Sequence, residues 1–95
     1  MTLTSEAEDD LAAIWQYTAE TWDEQQADTY AEFIRSKLAD LARFPRIGRP
    51  RDELSPGLRS HPIGQHVAFY RTTNDELIVR RLFHGRQDID DEPGL

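Results

Sequence analysis

Apolar residues recur through the first half of the chain at the spacing of a helix. Ala7, Leu11, Ile14, Trp15, Thr18 and Trp22 fall on one stripe and predict a helix over 5–22. Ser5 with Glu8 three residues on has the form of a capping box. Glu6, Glu8, Asp9 and Asp10 suit the positive end of the helix dipole. A second stripe, Ala27, Tyr30, Ile34, Leu38 and Leu41, starts behind Asp23 and Gln26, and Pro45 ends it. Helices joined this tightly form an antiparallel hairpin. Trp15 and Trp22 are expected in or at the edge of its core, contributing roughly 1.5–3 kcal/mol each.

Residues 44–57 read as loop, with Pro45, Gly48, Pro50, Pro56 and Gly57 spaced by Arg46, Arg49 and Arg51. Beyond it the period changes from 3.6 to 2. A strand is expected over 58–63 despite Pro62, then a tight turn at Gly64-Gln65, a strand over 66–72, a turn at 73–76 and a strand over 77–84. In the middle strand Val67, Phe69 and Arg71 share one face, and His66, Ala68 and Tyr70 the other. In the last, alternation puts Leu77, Val79, Arg81 and Phe83 together, opposite Ile78, Arg80, Leu82 and His84. Thr2-Leu3 adds a very short edge strand. The expected fold is α+β: an antiparallel helical hairpin packed on one face of a small antiparallel sheet, in the order (β)-α-α-β-β-β. It is a single domain over 1–95, with a mobile acidic tail over 88–95.

Composition narrows the function. A chain of 95 residues, 38% apolar and 31% charged, has a thin core, and a partner has burial to add. The absence of cysteine excludes disulfides, thiolate chemistry, Cys-ligated zinc and iron–sulfur clusters. No apolar run approaches a membrane span, and Met1–Glu6 lack the basic and apolar regions of a signal peptide, so no membrane contact and a cytoplasmic location are expected. The net charge of -7 is unevenly spread: -8 over 1–42, +5 over 43–86 and -4 over 87–95. An arginine-rich island between acidic flanks is either neutralised across the fold or seeks an acidic partner.

Arg46, Arg49 and Arg51 have Asp52 and Glu53 close by as surface partners, worth ~0–1 kcal/mol a pair. Arg59, Arg71, Arg81 and Arg86 sit in strands or at strand ends, where long cations mark a paired or functional face. Arginine there suits bidentate bonds to the carboxylates of a bound peptide. His61, His66 and His84 are the acid/base candidates at neutral pH. A nuclease would draw on Tyr70, Arg81 and His84. Two histidines across a turn, His61 and His66, are too few to hold zinc. No cofactor is implied.

Taken in order, several segments resemble one family. Asp10-Leu11-Ala12-Ala13-Ile14-Trp15-Gln16-Tyr17 is similar to its first-helix signature, and Trp22, Gln26-Ala27 and Tyr30 to its second helix. The run from Phe44-Pro45-Arg46-Ile47-Gly48-Arg49-Pro50 to Leu54 resembles its loop. Pro56-Gly57-Leu58-Arg59-Ser60, His66-Val67, Phe69-Tyr70-Arg71 and Arg81-Leu82-Phe83-His84-Gly85-Arg86 resemble its strands. This is the pattern of ParE-type toxins, in the RelE/ParE superfamily of type II toxin–antitoxin systems, and it covers nearly the whole chain.

The resemblance implies a toxin that inhibits DNA gyrase by binding, performs no chemistry, and is neutralised by a ParD-type antitoxin in a hetero-oligomer. Operator DNA would be met only through the antitoxin. Arg59, Tyr70, Arg71, Arg81, His84 and Arg86 are the candidates for antitoxin or target contact. Two alternatives stand beside this reading. One is a RelE-like mRNA endonuclease, motivated by the shared fold and the Tyr70, Arg81 and His84 grouping. The other is a degenerate toxin acting only as an antitoxin-binding co-repressor, motivated by the short N-terminal strand.

Overall fold

In the computed structural model, described here for residues 1–87, two helices pack on one face of a five-stranded sheet. Helix α1 spans Ser5–Thr21 and α2 spans Glu24–Arg43. The strands are β1 (Thr2–Leu3), β2 (Arg49–Pro50), β3 (Arg59–Ile63), β4 (His66–Thr72) and β5 (Leu77–His84), in spatial order β1-β5-β4-β3-β2. The α+β architecture and the strands β4 and β5 match expectation. The acidic tail expected over 88–95 lies outside the described residues.

The N-terminus of α1 is capped one residue earlier than expected. Thr4, not Ser5, is the cap; its hydroxyl accepts from the Ala7 N–H at 3.1 Å and donates to the Arg80 carbonyl at 2.9 Å. The strand β1 decides this, because Thr4 leaves it with its N–H on the Val79 carbonyl and the chain turns there. Asp23 caps α2 as expected, accepting from the Gln26 N–H at 2.7 Å.

The sheet is mixed rather than wholly antiparallel, since β1 lies parallel to β5 with Thr2 opposite Ile78. The expected loop also contains structure: a 3-10 turn at Pro45–Ile47, then β2, whose two residues pair with β3. Pro50 occupies the outermost strand, where a missing N–H is tolerated.

The largest departure is inside β5. Phe69 pairs with Arg81 but Tyr70 with Val79, so Arg80 is an extra residue, a β-bulge. Simple alternation therefore fails there. Leu77, Val79 and Leu82 all turn toward the helices, joining Ala68 and Tyr70 against Leu11, Ile14, Ile34, Leu38 and Leu41. Phe83 turns the other way, onto Phe69 and Leu58 in a smaller cluster that the loop covers with Leu54. Both faces of the sheet are thus apolar, and the loop is a lid over the second.

Candidate binding surface

At the end of the sheet, β4 and β5 place His66 opposite His84, with ring centroids 5.3 Å apart, edge to face. Helix α2 brings Tyr30 against them. The Tyr30 hydroxyl accepts from the Gln65 N–H at 3.1 Å and shares a hydrogen bond of 2.7 Å with His66 Nδ1. Gly64 makes this approach possible: its φ of +59° forms the turn, and a Cβ would lie 2.8 Å from the Tyr30 oxygen. His84 Nδ1 accepts from the Arg86 N–H at 3.2 Å. Each imidazole therefore has its Nδ1 engaged in a hydrogen bond. Burial, with the neighbouring His84 adding to it, holds the His66 pKa below 6.5.

Two hollows open on this corner, of about 360 and about 260 Å³, and Tyr17, Gln65, His66 and His84 wall both. Trp22, expected near the core, is instead 72% exposed and Tyr17 70%. Trp22 lies in the turn after α1, beyond Ile14, the last buried residue of that helix. Trp15 is half-buried, and its indole N–H donates to Asp28 at 2.8 Å.

Arg81 lines the larger hollow but is engaged. Its Nε and Nη2 donate to the two oxygens of Asp10 at 2.7 and 3.0 Å, and its guanidinium carbon lies 4.4 Å from the centre of the Phe83 ring. The same Asp10 carboxylate accepts the Leu82 N–H at 3.0 Å. It thereby caps the edge of β5 where the two-residue β1 has ended.

Three of the other candidates hold the arginine-bearing loop. The buried Tyr70 hydroxyl donates to the Pro45 carbonyl at 2.5 Å and accepts the Gly48 N–H at 3.0 Å. A Cβ on Gly48 would stand 2.1 Å from that oxygen, so only glycine fits. Burial raises the Tyr70 pKa above 10.0. Arg59, paired with Tyr70 across β3 and β4, donates to the Gly48 carbonyl at 2.7 Å and to the Arg46 carbonyl at 3.4 Å. Arg71 donates to Ser55 and to the Pro56 carbonyl. Arg51 pairs with Glu53 at 2.7 Å, which holds the Glu53 pKa below 4.5, and lies 5.5 Å from the Phe69 ring centre.

The six candidates do not form one site. His84 and Arg86 meet at the aromatic corner, Arg81 faces Asp10, and Arg59, Tyr70 and Arg71 grip the loop. Tyr70 is four residues along β4 from the partner of His84, about 13 Å away. The nuclease grouping of Tyr70, Arg81 and His84 is therefore not assembled. Sequence reasoning missed Asp10, Tyr17 and Tyr30 as surface-defining residues. Only Tyr17 carried a signal, an aromatic side chain lying off the apolar stripe of its helix. Among the described residues no three or more His, Asp or Glu cluster as a metal site, and no helix is long and apolar enough to cross a membrane.

Comparison with known proteins adds a family. The family described as ParE toxin of type II toxin-antitoxin system, parDE, matches residues 1–89. The chain is 38% identical over 89 residues to Toxin ParE1 of Mycobacterium tuberculosis (strain CDC 1551 / Oshkosh), covering 93% of this chain and 91% of that one. It is 35% identical over 80 residues to Toxin ParE1 of Caulobacter vibrioides, covering 84% and 83%. Its fold is shared with a structure described as the chromosomal ParDE TA system from P. aeruginosa, at a TM-score of 0.77 and 21% identity over 87% of this chain and 91% of that one.

Proposed function

We infer the function of this chain from its family, for it belongs to the ParE toxins of type II toxin–antitoxin systems. Its action is inhibition of DNA gyrase by binding, and a ParD-type antitoxin silences it by covering its surface. Operator DNA is reached only through that antitoxin. The family match over residues 1–89 carries this reading.

The geometry favours binding over catalysis. A general base needs a lone pair within reach of its substrate. The Nδ1 atoms of His66 and His84 are both already engaged in hydrogen bonds within the chain. The guanidinium best placed to stabilise a developing phosphate charge, Arg81, is bound to Asp10. His84 and Arg86 are the candidates that offer direct contact. Arg59, Tyr70 and Arg71 act on a partner through the loop that they hold.

A supercoiling assay with purified toxin and gyrase tests the reading. Supercoiling is lost as toxin is added and returns when antitoxin is supplied. Unchanged supercoiling at saturating toxin overturns gyrase as the target. Primer extension on mRNA after induction without antitoxin gives no new cleaved ends, whereas cleavage would restore the endonuclease alternative. Growth arrest on that induction separates an active toxin from a degenerate co-repressor.

A further inference from the structure

The arginine island divides on folding. Arg51 takes Glu53 at 2.7 Å, and Asp52 accepts the Gly57 N–H at 2.9 Å, so both acids of the loop are engaged. Arg59 turns inward to the loop carbonyls. Arg43 and Arg46 stay exposed where the loop begins, and among the described residues no ion pair engages either. Beside them stand Phe44, 60% exposed, and Ile47, 58% exposed. The four side chains border one open hollow of about 430 Å³, and the Arg43 guanidinium lies 5.9 Å from the Phe44 ring centre. Asp40, near the end of α2, lines the adjoining hollow with Lys37.

The backbone beneath is turned the other way. The Phe44 carbonyl accepts the Ile47 N–H, the Pro45 carbonyl the Tyr70 O–H, and the Arg46 and Gly48 carbonyls the Arg59 guanidinium. The negative ends of these peptide dipoles are thus occupied within the fold, and the outer rim carries guanidinium and apolar groups. The dipole of α2 accounts for a base at Arg43, in the last helical turn, but not for Arg46 beyond it or for two bare apolar side chains. Cations interleaved with an exposed ring and an aliphatic side chain suit a nucleic-acid strand. Guanidinium groups take phosphate oxygens, and the ring or wedge packs on a sugar or base face. The rest of the chain limits that contact. Residues 1–42 carry a net charge of -8, so the molecule is polarised and as a whole attracts free DNA only weakly.

We propose that the rim formed by Arg43, Phe44, Arg46 and Ile47 grips the phosphate backbone of the DNA that gyrase holds, while the rest of the toxin docks on gyrase itself. The inference rests on the gyrase reading above and adds a nucleic-acid contact to it. Duplex DNA carries one charge per about 1.7 Å of its axis, far denser than an acidic protein face, and gyrase keeps it beside a docked inhibitor. Tyr70 and Arg59 serve this contact by holding the rim outward.

Fluorescence anisotropy of labelled toxin, titrated with gyrase alone and with gyrase preloaded with a linear duplex, tests this. Wild-type toxin is expected to bind the loaded enzyme about 10-fold or more tighter than the free enzyme at about 50 mM salt. Two phosphate contacts make that gain shrink about 12-fold on going to about 200 mM salt. The double variant Arg43→Gln, Arg46→Gln is expected to bind free gyrase within about 3-fold of wild type and to lose the gain from DNA. Phe44→Ala is expected to lose about 5-fold or more of the gain with its salt dependence kept. All three side chains are exposed, so thermal melts of the variants should match the wild type and separate lost contact from lost folding. Equal affinity of wild-type toxin for free and loaded gyrase overturns the proposal, and so does a double variant that keeps the full gain. A double variant weakened equally on both forms also overturns it, giving the rim to an acidic surface of gyrase. Wild-type toxin that binds neither form removes the gyrase reading and this one with it.

Discussion

The Asp10 carboxylate makes three hydrogen bonds at once, two to the Arg81 guanidinium and one to the Leu82 N–H. The side chains of the pair are only 16% and 21% exposed, so solvent screens them weakly. Asp10→Ala removes all three bonds, takes the carboxylate away from a half-buried guanidinium and leaves a strand-edge amide without its acceptor. Charge-assisted hydrogen bonds contribute about 1.5–3 kcal/mol each, and breaking a fully buried pair costs about 3–5 kcal/mol. A half-buried pair falls below that, and about 2–3 kcal/mol is expected. For a domain of this size each kcal/mol moves the Tm by about 4–8 °C, so Asp10→Ala should melt about 10–20 °C lower. Asp10→Asn keeps an acceptor for Leu82 and should lose about half as much. A double-mutant cycle with Arg81→Ala, read by urea denaturation, should give a coupling of about 1–2 kcal/mol. A loss under about 0.5 kcal/mol in Asp10→Ala, or a coupling near zero, would refute the claim that this carboxylate ties α1 to the bulged end of β5.

Three further outcomes follow from the same geometry. Thr4→Ala should cost about 1 kcal/mol in urea denaturation while Ser5→Ala stays near neutral, and the reverse order would return the cap to Ser5. Tyr70→Phe leaves the Gly48 N–H without its partner and should cost about 1–3 kcal/mol, with proteolysis speeding within residues 44–57; equal nicking rates in the two proteins would deny Tyr70 its hold on the loop. His66 has a folded pKa below its unfolded 6.5, so the unfolded chain binds more protons in between. Stability is therefore full above about pH 6.5 and declines as pH falls through that value, levelling off below the folded pKa. His66→Gln should flatten the Tm profile between pH 7 and 5, and an unchanged slope would place the titration elsewhere.

The hairpin and the central strands were legible because their signals are local. Asp23 with Gln26, the stripe from Ala27 to Leu41, and the alternation from His66 to Thr72 each depend on neighbours within a turn or a strand. The missed features depend on contacts between distant residues. Thr4 becomes a cap only because β1 delivers it to Val79 and Arg80. The bulge at Arg80 has no local mark, since Val79-Arg80-Arg81-Leu82 reads as ordinary alternation until Arg81 must reach Asp10 while Leu82 fills the helix-side core. Arg49-Pro50 looks like loop and forms a strand only beside Arg59 and Ser60. The binding candidates divided for the same reason. Sequence marks Arg59, Arg71 and Arg81 as unusual for strands, but only the fold tells that their partners are loop carbonyls, a serine and Asp10.

Those internal commitments also bear on how a partner can be met. A sheet can recruit a strand along an open edge, and both edges here are guarded. Beyond β1, the Arg80 carbonyl is taken by Thr4 and the Leu82 N–H by Asp10. At the other side the edge strand is two residues long, and one of them is Pro50, which has no N–H to give. The second sheet face is closed by Leu54 and Leu58. With edges and faces committed, the large apolar side chains left at the surface gather along the flank of α2. Recognition by side chains laid on a helix flank, rather than by an added strand, is the mode this distribution favours.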